Sequence, residues 1–77
     1  MENALSKYLA LVKTVETGSF TRAAQELNYA QSSVSKMVAD LEKEWQVTLL
    51  ERSKNGVCLT RTGEQVMPLV RAVLNEY

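Results

Sequence analysis

The sequence predicts a mainly α domain of the winged helix-turn-helix kind, with a three-helix core, a two-stranded β wing and a long C-terminal helix. Three observations predict it. Apolar residues recur at helical spacing in four separate segments. The second segment is short, and the third follows it almost at once. Between the third and the fourth, two β-prone runs flank Ser53-Lys54-Asn55-Gly56, a turn signal.

The first helix is written by Leu5, Tyr8, Leu9, Val12 and Val15, the i, i+3, i+4, i+7 pattern of an amphipathic face. Thr17-Gly18-Ser19 closes it, with Gly18 as the residue past the end. Ser19 is a good N-cap for the second helix, which buries Phe20, Ala23, Ala24 and Leu27. Asn28 tolerates the left-handed conformation and ends that helix after about two turns. The third helix begins near Ala30 or Gln31 and carries Val34, Met37, Val38, Leu41 and Trp45 on its inner face.

After Gln46 come the strand-prone runs Val47 to Arg52 and Val57 to Thr60. Two hairpin loops are compatible with them. A two-residue Asn55-Gly56 turn pairs Arg52 with Leu59 on one face. A three-residue loop, Lys54-Asn55-Gly56 with Gly56 left-handed, groups Leu49 with Val57 and Leu59 and sends Arg52 to the other face. The second is the expectation here. The last helix starts at Thr60 or Thr62, and Thr62-x-x-Gln65 fits a capping box. Its stripe is Val66, Leu69, Val70, Val73, Leu74 and Tyr77, with Pro68 expected to kink it or shift its start. The stripe is still amphipathic at Tyr77 with no stop signal, so the chain reads as a fragment ending in mid-helix.

With 77 residues there is room for one domain. The single cysteine, Cys58, excludes an internal disulfide and reads as a wing-strand residue. There is no histidine, which removes the commonest general acid/base and metal ligand, so neither a metal site nor a cofactor is expected. Met1-Glu2-Asn3-Ala4 opens no leader peptide, and no stretch approaches the ~20 apolar residues of a membrane span. The expectation is a soluble, cytoplasmic protein. Tyr8 and Trp45 could line a ligand pocket, but both sit on apolar stripes and are expected in the core. Ser33-x-x-Lys36 matches a serine-nucleophile motif, yet its partner motifs are missing and the chain is too short for that fold. No catalytic residue and no enzyme activity are expected.

Net charge is zero and the pI about 6.2, which by itself speaks against a nucleic-acid binder. The distribution of charge points the other way. Lys36 is the one charge from Gln31 to Ala39, and Arg52, Lys54 and Arg61 run to Thr62 without an acid. Asp40, Glu42, Glu44 and Glu51 fall between. In a helix-turn-helix the second helix of the unit lies in the major groove with its leading residues on base edges. Here those residues are Gln31, Ser32, Ser33, Ser35 and Lys36. Glutamine can bond both edge atoms of adenine, serine can donate or accept, and lysine can reach guanine or a phosphate. Arg52 and Lys54 at the wing tip would touch backbone or minor groove, and Thr21 with Arg22 either phosphate or solvent.

The order Gly18-Ser19-Phe20-Thr21-Arg22-Ala23-Ala24, then Leu27, Gln31, Ser35, Lys36, Leu41-Glu42, Leu49-Leu50-Glu51-Arg52 and Leu59-Thr60-x-x-Gly63 resembles the LysR-type regulator signature. The resemblance covers nearly all of the chain. It implies a double-stranded DNA operator as partner and a homodimer paired through the C-terminal linker helix. It also implies a small-molecule effector bound only by a further domain outside this chain. It divides the chain into a winged helix-turn-helix at 1–60 (the helix-turn-helix over about 20–39, the wing over about 48–60) and the start of a dimerisation and linker helix at 61–77. Three positions depart from the family pattern. Ala30 and Ser32 stand where Ser and Pro are usual, so the third helix lacks its customary cap. Lys36 stands where Arg is usual, and lysine is a point charge and not a bidentate fork. The alternative is a winged-helix module that meets another protein through the same outer face.

Overall fold

Alanine at positions 10, 23 and 24 lets three helices approach closely, and the architecture is built on that contact. The structure, a computed structural model, describes residues 4–75. It contains α1 (Ala4–Thr17), α2 (Phe20–Leu27), α3 (Gln31–Trp45), β1 (Leu50–Ser53), β2 (Gly56–Leu59) and α4 (Arg61–Asn75) in that order. Ala10, Ala23, Ala24, Val34 and Met37 form one buried cluster between α1, α2 and α3. A second cluster, Leu11, Val12, Val38, Leu41, Leu49, Met67 and Val70, joins α1, α3, the start of the wing and α4. α4 is therefore packed into the same core as the helix-turn-helix.

The helix boundaries follow from local chemistry. Gly18 takes φ +71° and donates its N–H to the Thr14 carbonyl at 2.8 Å, ending α1. The Ser19 hydroxyl accepts from the Arg22 amide at 3.2 Å and caps α2. Asn28 is left-handed at φ 62°, as expected, and α3 starts three residues later with no side-chain bond from its cap, Ala30. α4 starts after Thr60, whose hydroxyl accepts from the Gly63 amide at 3.0 Å. The Thr62–Gln65 capping box is thus corrected, because the wing's return strand delivers Thr60 to the cap position first. Pro68 lies inside α4, which continues unbroken through it. The apolar position Tyr77, like the opening Met1-Glu2-Asn3, lies outside the described residues.

The hairpin differs from both loops considered. Its register pairs Leu50 with Leu59, Glu51 with Cys58, Arg52 with Val57 and Ser53 with Gly56, leaving Lys54-Asn55 as the turn. Paired residues share a face, so Arg52 lies on the side of Val57 and Leu59 and not on the other. Two things stabilise this arrangement. The Val57 amide donates to the Gly18 carbonyl at 2.9 Å, anchoring the return strand to the α1–α2 turn. The Arg52 guanidinium lies 5.0 Å from the centroid of Phe20, which gives a cation on an apolar face a favourable neighbour. Gly56, at φ +119°, sits so close to the Gly18 carbonyl that a Cβ there would collide with it.

Candidate nucleic-acid interface

α3 presents its two faces cleanly. Val34, Met37, Val38 and Leu41 point into the core. Gln31, Ser32 and Lys36 are exposed, while Ser33 and Ser35 are half-buried. There is no acidic side chain in the first turn, and the cap residue brings no acceptor of its own. The backbone N–H groups at that end therefore meet no capping side chain. Thr21 is exposed near the start of α2, and Arg52 and Lys54 are exposed on the wing.

Ser35 and Arg52 are brought to the same place. With Phe20, Val38, Ala39, Glu42 and Leu50 they line a cleft of about 150 Å³ between α3 and the wing. The wing is held to α3 by Glu42. One of its carboxylate oxygens accepts from the amides of Leu49 at 2.7 Å and Leu50 at 3.2 Å. Sequence reasoning grouped Glu42 with the acids lying past the groove-facing residues and missed this bond. The signal was present in an acid next to Leu41 on the stripe, but its partners are seven and eight residues away. Sequence reasoning also left Tyr29 unplaced. It is 38% exposed in the turn directly before α3, an aromatic that belongs to no helical stripe.

Ion pairing explains how a neutral chain can show a basic face. Lys7 pairs with Glu44 at 2.8 Å, Lys13 with Glu16 and Glu26, and Arg71 with Glu16. These pairs involve cations of α1 and α4. Among the described residues, Arg22, Arg52 and Lys54 take part in no ion pair, and Lys36 pairs with Asp40 at 3.3 Å. Arg22 on α2 and Arg52 and Lys54 on the wing are therefore the cations of this surface whose charge no ion pair offsets, while the α3 lysine is shared with Asp40.

A second surface is apolar. Tyr8, Trp45, Val47, Val66, Leu69, Val70 and Val73 line an open groove of about 280 Å³. Tyr8 and Trp45 pack on the core as expected, with ring centroids 5.8 Å apart, yet both remain half-buried along the groove. Leu69 is 68% exposed and Val73 40%, so the outer part of the α4 stripe is open to solvent along this groove. No described helix is long and apolar enough to cross a membrane. Among the described residues, no group of three or more potential ligands is placed to hold a metal ion.

The family model for bacterial regulatory helix-turn-helix proteins of the lysR family matches residues 5–64. The chain is 42% identical over 71 residues to YvbU of Bacillus subtilis, described as an uncharacterized HTH-type transcriptional regulator, covering 91% of this chain and 24% of that protein. It is 42% identical over 72 residues to the HTH-type transcriptional activator AaeR of Escherichia coli, covering 94% of this chain and 23% of the other. The chain thus spans about a quarter of the length of these curated relatives. Among solved structures, the DNA complex of the CbnR DNA-binding domain superposes with a TM-score of 0.87 at 29% identity, covering 97% of this chain and 84% of that one. The complex of the BenM DNA-binding domain with benA site 1 DNA gives 0.88 at 34% identity, covering 99% and 86%.

Proposed function

Because the chain belongs to the lysR family of bacterial regulatory helix-turn-helix proteins, we propose that it binds double-stranded DNA sequence-specifically as the reading head of a transcription regulator. One observation carries the reading. The leading end of α3 is exposed and free of acids in its first turn, beside wing cations that have no carboxylate partner among the described residues. A helix end of that kind suits a polyanion, because its amides and dipole favour negative charge.

In this reading α3 enters the major groove. Gln31 bonds an adenine edge, Ser32, Ser33 and Ser35 donate to or accept from neighbouring bases and phosphates, and Lys36 reaches a guanine edge or the backbone. Thr21 meets phosphate. Arg52 and Lys54 hold the adjacent backbone or minor groove and set the register without reading sequence. The work is done in the cytoplasm. Any small-molecule effector acts through a domain outside this chain.

Selection of bound sequences from a random DNA pool, followed by titration over a salt series, tests the proposal. Affinity for random duplex is expected to fall steeply with salt, with a further gain of at least ~10³-fold on the selected site. Gln31→Ala is expected to change preference at one or two base pairs by ~1–3 kcal/mol. Equal weakening on every sequence would remove Gln31 from base reading. No binding to any duplex at low salt would favour the protein-interaction module.

The apolar groove supports a homodimer paired through α4. A two-fold axis presents each Leu69 and Val73 to the partner's copy of the same surface, so each contact is made twice. Two α3 helices would then reach successive major grooves about one turn of DNA apart, or a multiple of it. Leu69→Asp is expected to shift the protein to monomer in sedimentation, each lost leucine costing about 2 kcal/mol of burial. Unchanged association would show that the groove is not the pairing surface.

A further inference from the structure

Lys36 is the one charged residue from Gln31 to Ala39, and its ammonium is already engaged. It lies 3.3 Å from the Asp40 carboxylate, one helical turn further along α3. The lysine side chain is 68% exposed and the aspartate side chain 31%. The lysine is therefore the more exposed partner, and the acid the more covered of the two. Asp40 belongs to no other ion pair among the described residues.

We infer that Asp40 is a specificity-determining residue that restrains Lys36 from indiscriminate phosphate contact. The inference rests on the DNA-reading proposal above. Phosphates line the rim of the groove. In this inference a rim phosphate lies too far out for the Lys36 ammonium to reach while it stays on Asp40, so rim contact breaks the pair and leaves its carboxylate facing a polyanion. Guanine N7 and O6 lie on the groove floor, facing the helix. An ammonium has three donors, so it can donate to a floor acceptor while keeping the carboxylate as a second partner. The pair thus penalises rim contacts, which every sequence offers, more than floor contacts, which only some offer. Lysine in place of arginine suits this arrangement, since a rotatable point charge can be shared between two acceptors.

Asp40→Asn keeps the shape of the side chain and removes its charge. Binding of wild type, Asp40→Asn, Lys36→Gln and the double variant is measured on a random-sequence duplex and on the selected duplex across a salt series. Asp40→Asn should bind random duplex about three- to tenfold tighter and gain clearly less on the selected duplex, with a salt slope steeper by about 0.9, one further phosphate neutralised. In the Lys36→Gln background that gain should shrink. Equal gains on both duplexes, or no gain on random duplex, would overturn the role of Asp40. So would an undiminished gain without Lys36, because Asp40 would then act by direct repulsion alone. Failure of the wild type to bind either duplex overturns the DNA reading itself and this inference with it, a result distinct from the other three. Circular dichroism of each variant at the binding temperature confirms that folded protein is being compared.

Discussion

Replacing Gly63 with alanine should destabilise the domain by about 3 kcal/mol, although alanine is the better helix former. Propensity alone favours the change by ~1 kcal/mol. Packing opposes it. Gly63 is buried in the first turn of α4, and a Cβ there would collide with the Leu49 carbonyl oxygen and come within 2.8 Å of Leu59 Cδ2. The leucine methyl could move. The carbonyl cannot move freely, because it accepts the Thr60 amide at 2.9 Å and belongs to a residue with no exposed surface. Inserting a methyl against fixed backbone costs at or beyond the usual ~1–3 kcal/mol of overpacking. Against a total stability of ~4–12 kcal/mol for a chain this long, the melting temperature should fall by about 10–20 °C. Thermal unfolding followed by circular dichroism reads this directly. An unchanged melting temperature would mean that α4 and Leu49 do not approach as closely as described.

Glu42→Ala carries the second large effect, about 2–3 kcal/mol. Two backbone donors lose an ionised acceptor, and the Leu49 donor belongs to a fully buried residue. Hydrogen bonds to charged groups are worth ~1.5–3 kcal/mol, and an orphaned buried donor adds its own desolvation cost. Glu42→Gln keeps an acceptor oxygen and should recover more than half of the loss. The two variants also separate stability from positioning. In Glu42→Ala the wing loses its bond to α3, so DNA affinity should fall together with the salt slope as Arg52 and Lys54 disengage. If Glu42→Ala melts at the wild-type temperature, the carboxylate does not hold the wing.

The helices were legible because their determinants are local. Ser19, Gly18 and Asn28 act within a turn of where they stand, and the apolar stripes need no knowledge of what they pack against. The wing was not legible to the same depth. Its register is fixed by the Gly18 carbonyl, its charged residue by the ring of Phe20 and its root by Glu42, and none of these is a neighbour in sequence. Thr60 and Thr62 were equally good caps until the hairpin's length decided between them. At the interface, the exposure of Gln31, Ser32 and Lys36 followed from the stripe on the opposite face of the same helix. Tyr29 escaped because a turn residue has no periodicity to betray it. The Asp40–Lys36 pair was readable as an i, i+4 spacing, but only coordinates show that the ammonium is turned toward it.

The wing is hung from main-chain atoms, through the Val57 amide on the Gly18 carbonyl and the Glu42 carboxylate on the amides of Leu49 and Leu50. None of those attachments involves the side chains of residues 31–33, 35 or 36. Under the proposed DNA reading, the exposed Gln31, Ser32 and Lys36 can be varied without cutting any of these attachments, so what the molecule reads is separable from what holds its flap in place.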